Sequence, residues 1–147
     1  MSAVHIAIGS LAIALNLAAG LWGAFCWWRR RASSVFWILI RAAQVAVVLE
    51  AVLGGIWILT GRKATELHLI YGLVPIGVAF MGEQLRISAA QMVLDKRGHA
   101  STKEVGKLPA TQQREIVIAI VRQEIGVMTL AALVSVVLLA RAAAVHG

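Results

Sequence analysis

Four long apolar stretches run through the chain, at about Val4–Trp28, Val35–Thr60, His68–Leu94 and Ile116–Ala140, with polar segments between them. Each exceeds the roughly 20 residues needed to cross a hydrocarbon layer about 30 Å thick. A backbone in lipid must satisfy its own hydrogen bonds, so the pattern predicts four transmembrane α-helices. Arg29–Ser34 and Gly61–Leu67 are short links, which predict that the helices they join are antiparallel and adjacent. Asp95–Gln113 is longer and polar, with Gly98, Ser101, Thr102 and Pro109. Thr111 is the predicted N-cap of the last helix, with Pro109 blocking an earlier start. The predicted fold class is all-α: a four-helix transmembrane bundle, one domain over residues 1–147, with no room for a second, soluble domain.

Composition strengthens this reading. Hydrophobic residues make up 60% of the chain, against roughly 45–50% in soluble domains. The net charge is +7, and its placement sets a direction. Arg29, Arg30, Arg31, Lys96, Arg97, Lys103, Lys107 and Arg114 flank one side, and Arg62, Lys63 and Arg141 the other, eight against three. Positive charge gathers on the cytosolic side. Both termini are therefore expected outside a bacterial plasma membrane, as a multi-pass protein. Attraction of these loops to anionic lipid accounts for the basic balance without nucleic acid. No basic residue precedes the first apolar stretch, and its length and flanks are not those of a signal peptide. Cys26 is the only cysteine, which excludes an internal disulfide and a cysteine-cluster metal site.

The informative residues are the ionisable ones inside the spans. Each costs about 2.5–3.5 kcal/mol at the bilayer centre even on the mildest scale, so each is expected to face the bundle interior and find a partner. The second span carries Arg41 and Glu50, the third Glu83 and Arg86, and the fourth Arg122 and Glu124. Gln44, Gln84, Gln91 and Gln123 accompany them. At a rise of about 1.5 Å per residue, Glu83 lies roughly 22 Å from the outer end of its helix, and Arg122 roughly 16 Å from the inner start of its own. Arg41 falls at a similar inner level, and Glu50 falls in the outer half. Glu83 and Arg86 are three apart and can touch. Arg122 and Glu124 point about 160° apart and cannot both serve one tight cluster. Glu83, Arg86, Arg122, Glu124, Arg41 and Gln44 form the expected polar site. It is either a brace between helices or a seat for a quinone or lipid headgroup.

On the third span, His68, Gly72, Pro75, Ala79, Glu83, Arg86 and Ala90 share one face that should turn inward. Pro75 between Gly72 and Gly77 predicts a kink. Trp22, Trp27, Trp28 and Trp37 read as an inner interfacial belt, with Trp57 and Tyr71 near the outer one. Gly20, Gly23, Gly54 and Gly55 read as close-packing points, and Thr129 and Ser135 as packing hydroxyls. His5 and His68 both fall at outer helix ends, on spans that can be diagonal in a four-helix bundle. Two such histidines are candidate axial ligands of haem b, or ligands of a transition metal with Glu66 or Glu50. The bland alternative is an interfacial histidine bonded to water or backbone. His99 and His146 carry no assignment. No Glu-x-x-His motif is present, which argues against a di-iron site.

The stretch LHLIYGLVPIGVAFMGEQLRISAAQMVLDKRG, together with AIVRQEIGVM before the last span, resembles the uncharacterised small four-helix integral membrane proteins of actinobacteria. The resemblance covers nearly the whole chain and implies the same topology. It carries no catalytic residue.

These features favour a small membrane subunit or accessory protein of a redox or energy-transducing system. It would hold a quinone or lipid headgroup at the inner polar site and haem at the outer histidines. Its partners would be membrane lipids with other membrane subunits or further copies of itself. An oligomeric proton or cation transporter using Glu50 and Glu83 is one alternative, and a structural assembly protein another. No nucleophile–base pair or phosphate loop marks an independent enzyme.

Overall fold

The structure is a computed structural model and describes residues 3–61 and 63–145. Arg62, one of the three cations expected outside, and His146 lie outside the described residues. The chain forms four long helices and one short turn of helix: α1 (Ala3–Trp28), α2 (Ser34–Leu59), α3 (Glu66–Lys96), α4 (Thr102–Val105) and α5 (Ala110–Ala144). No strand occurs among the described residues. Three helices, α1, α2 and α5, are long and apolar enough to cross a membrane. At 31 residues α3 has the length, but Glu66, His68, Glu83, Arg86, Asp95 and Lys96 make it more polar.

The helix ends follow from local chemistry. Beyond Trp28 the chain closes in a Schellman motif, with Arg31 N donating to Cys26 O (2.9 Å) and Arg30 N to Trp27 O (3.3 Å). Arg30 takes the left-handed position with φ 52°, a place usually given to glycine. The end of α3 has the same pattern with Gly98 at φ 75°. Ser33 caps α2 by accepting from Phe36 N (3.2 Å) and also accepts from Trp22 Nε1 (2.9 Å), which ties α1 to the turn that follows it. The last helix corrects the expected start. Pro109, not Thr111, is the N-cap, and α5 begins at Ala110, six residues before Ile116. Pro109 is extended, and its carbonyl at once accepts from Gln112 N and Gln113 N. The Gln113 side chain donates back to Gly106 O and Leu108 O. The expected polar loop therefore contains structure. Leu94, Val105 and Ile116 are buried together there, with Leu108 and Ile120 against them.

The long helices alternate in direction, since the start of α1, the end of α2, the start of α3 and the end of α5 meet at one end of the molecule. The closest packing joins α3 with α5, α1 with α5 and α1 with α2. Although a short link connects them, α2 and α3 touch only sparingly. The link fixes their relative direction, but adjacency needs matching surfaces. The bundle is thus a chain of neighbours, α2–α1–α5–α3, with a seam between α2 and α3.

The main core lies toward the end of the bundle that holds the α1–α2 link, where Ala19, Cys26, Phe36, Ile40, Ile125, Met128 and Ala132 pack together. Gly20 lies against Leu133, and Gly23 against Thr129 and Phe36, so these two are close-packing points as expected. Gly55 is not, since a Cβ there would meet nothing within 4 Å, whereas a Cβ at Gly54 would stand 3.8 Å from His5 Cε1, an ordinary contact with α1. Pro75 is buried within a continuous α3.

Candidate functional site

The polar residues separate into two centres at different depths. One, called inner and the other outer after the expected topology, bridges the α2–α3 seam. Arg41 donates through Nη1 and Nη2 to both carboxylate oxygens of Glu83. Gln44 Nε2 donates to Glu83 Oε1 (3.0 Å), and Arg41 Nη1 to Gln44 Oε1 (2.7 Å). Arg86, one turn along α3, places Nη2 3.1 Å from Glu83 Oε2 and lies 5.2 Å from the Trp37 ring centre. Glu124 on α5 is near enough to interact electrostatically with both Arg86 and Glu83. Four of the six expected residues therefore bond directly, and Glu124 stands beside them.

Arg122 does not join this cluster. Its Nε donates to Trp27 O (3.3 Å), and its guanidinium lies 5.2 Å from the Trp27 ring centre. Equal depth is not enough, because the angle around α5 directs Arg122 toward α1 and Glu124 toward α3. This changes the charge balance. Without Arg122, two arginines face two glutamates, and no surplus positive charge remains to call for an anionic ligand. Gln84, Gln91 and Gln123 also stay out: all three are exposed, and Gln91 donates to Asp95 (2.8 Å) on its own helix. The inward face expected of α3 is observed, since none of His68, Gly72, Pro75, Ala79, Glu83, Arg86 and Ala90 is exposed.

The outer centre is a cavity of about 390 Å³, built by all four long helices. Its size falls within the roughly 300–1,000 Å³ of ligand pockets. Most of its wall is apolar: Ile6 and Ile13 from α1, Ile58 from α2, Leu69 and Leu73 from α3, Leu139 from α5. Gly54, Gly55 and Gly72 widen it, and neither Gly55 nor Gly72 has a neighbour where a Cβ would stand. Three ionisable side chains enter this apolar space: His5, Glu50 and His68. None of the inner cluster lines it.

The two histidines are diagonal in the bundle, as expected, and their ring centres are 6.0 Å apart with planes inclined at 68°. His5 is buried, and its Nδ1 lies 3.1 Å from Glu50 Oε1. Its ring stacks 5.5 Å from that of Trp57, which gives this tryptophan a role beyond an interfacial belt. His68 Nδ1 lies 3.0 Å from Ala142 O. A carbonyl can only accept, so this contact requires the proton on Nδ1. Each ring thus has its Nδ1 beside an acceptor oxygen. Glu66, the other acid weighed for a metal, is exposed in the first turn of α3. Among the described residues no group of three or more His, Cys, Asp or Glu side chains is arranged to hold a metal ion by itself.

Sequence reasoning missed Gly9, the Ala142 carbonyl and Trp57 as parts of this centre. Gly9 had a readable signal, one helical turn from His5. The Ala142 carbonyl had none, because any residue supplies one. No protein-family model, curated protein or solved structure matches the chain.

Proposed function

We propose that the chain is a four-span membrane protein with both termini outside, and that it binds haem between His5 and His68 in the outer half of its bundle. The supporting observation is the imidazole pair. A metal–imidazole bond of about 2 Å puts each ring centre roughly 3 Å from the metal, and two opposed ring centres roughly 6 Å apart. The observed separation is 6.0 Å. The apolar walls suit a macrocycle, and the glycines leave room for one. When bound, haem supplies one-electron transfer, as befits a small redox subunit. His5 and His68 would hold the iron, the groups beside their Nδ1 atoms would orient the rings, and the aliphatic side chains would keep bulk water out.

The antiparallel course of α3 beside three membrane-length helices supports its reading as a span. Its mid-helix charges, Glu83 and Arg86, are housed on an inward face, which lowers their cost in lipid. The inner cluster is then a brace that ties α2 to α3 below the cavity.

Purified protein, incubated with ferric protoporphyrin IX if it is isolated without pigment, should give the sharp Soret and split visible bands of a low-spin haem. Both His5→Ala and His68→Ala should lose them. A wild-type chain that takes up no haem overturns the reading. The apolar lining with its few polar side chains would also suit a second ligand, a quinone headgroup. Quenching of tryptophan fluorescence by a soluble quinone analogue, lost in both histidine variants and with no Soret band, would select it.

A further inference from the structure

Where α5 passes the end of α1, the bundle has a step. The first helix stops at Trp28, and the chain turns at once toward α2. By contrast, α5 extends past that level to its start at Ala110, roughly 18 Å beyond Arg122 at 1.5 Å per residue. The overhang is walled by the end of α3 and by α4, through Leu94, Val105 and Ile116. A helix just long enough to cross a bilayer ends at the headgroups, and α1 is of that length. The corner of the step therefore lies at headgroup level.

Arg122 occupies this corner. Its Nε and the Arg30 main-chain N both donate to one oxygen, Trp27 O, each at 3.3 Å. The guanidinium is thereby held against the turn that carries Arg29, Arg30 and Arg31, all exposed. It lies 5.2 Å from the centre of the Trp27 ring. Gly126 seats that ring, since a Cβ there would come 2.9 Å from Trp27 Nε1. The bond to Trp27 O uses Nε alone. Among the described residues, neither Arg122 nor the arginines of the turn pair with an acid. Arg41 and Arg86, by contrast, both reach Glu83. A planar fork of donors without a carboxylate is matched by the oxygens of a phosphate group.

We propose that the Arg122–Trp27 corner binds the phosphate of an anionic phospholipid. The fork of Arg122 holds the phosphate oxygens, and the Trp27 ring and carbonyl hold the fork in place. The arginines of the turn supply the selectivity: they favour a headgroup with net negative charge and repel one whose phosphate is offset by an ammonium. The acyl chains lie against the apolar surfaces of α1 and α5. The inference is independent of the haem reading.

The test is native mass spectrometry of the full chain released from a neutral micelle, titrated with phosphatidylglycerol or with phosphatidylcholine of the same acyl chains. The wild type should bind its first phosphatidylglycerol about tenfold more tightly, the scale of one charge-assisted hydrogen bond. Arg122→Gln should abolish this preference. Arg122→Lys, which keeps the charge but not the fork, should lose most of it, and reads the same site if the glutamine variant does not fold. Lys107→Gln removes an equal charge from the polar segment before α5 and should keep the preference. Glycerol 3-phosphate at the same concentration should not displace the lipid. Absence of preference in the wild type overturns the inference. So does a full preference in Arg122→Lys, or an equal loss in Lys107→Gln, because diffuse charge then accounts for the binding. Displacement by glycerol 3-phosphate overturns the lipid as the source of the phosphate.

Discussion

Glycines within the helices differ in what they do, and only the surroundings distinguish them. Gly23 meets Thr129 Oγ1 and the Phe36 ring where a Cβ would stand, so it sets the distance between α1 and its neighbours. Gly9 clears space for one carboxylate. Gly77 faces open space. Gly23→Ala should lower stability by roughly 1–3 kcal/mol, the usual range for overpacking a filled core. Gly77→Ala should raise it by up to about 1 kcal/mol, since alanine is the better helix former. Reversible unfolding in mixed micelles should give these opposite signs. Equal effects would show that the α1 contact is not tight.

Each helix combines a lipid-facing surface with a narrow inward strip, and α3 shows this most clearly. Phe80, Met81, Leu85 and Ile87 are exposed, while Glu83 and Arg86 among them turn inward. The seam between α2 and α3 lacks close apolar packing, so polar bonds across it matter more than they would elsewhere. Glu83→Ala removes the acceptor shared by Arg41, Gln44 and Arg86. Interhelical polar contacts in membranes are worth roughly 0.6–2 kcal/mol, and this residue is expected at the upper part of that range. The loss should appear as easier unfolding in micelles, with haem binding of the folded fraction retained. Loss of haem at full stability would instead tie the inner cluster to the ligand.

The bundle as a whole is polarised, with the cavity at one end and the tighter core, basic loops and α4 toward the other. The proposed topology places Lys63 outside and Lys103 inside. In a Cys26→Ser background, a cysteine at position 63 should react with a membrane-impermeant maleimide on intact cells. One at position 103 should react only after permeabilisation. Labelling of both on intact cells would mean that α3 does not span the membrane. The elements behind this arrangement were legible in the chain, because hydropathy and length follow directly from composition along the sequence. The α5 start was misplaced because Gln113 and Pro109 build a cap that no single residue announces. Arg122 was assigned to the wrong group because depth is a one-dimensional quantity, whereas partnership also depends on the angle around a helix.

The outer site shows where the two kinds of information divide. Patterning alone establishes long apolar helices, the inward face of α3, and histidines at corresponding ends of α1 and α3. Lipid imposes a simple rule on every residue in turn, and a rule of that kind can be read locally. It does not establish that α2 and α3 part at their seam, that Glu50 turns to His5, or that Ala142 offers its carbonyl to His68. Those outcomes depend on which helix surfaces pack best against one another, a comparison among all four long helices at once. Packing sets α3 against α5 and leaves a cavity beside α2, and that choice brings the two imidazoles to 6.0 Å.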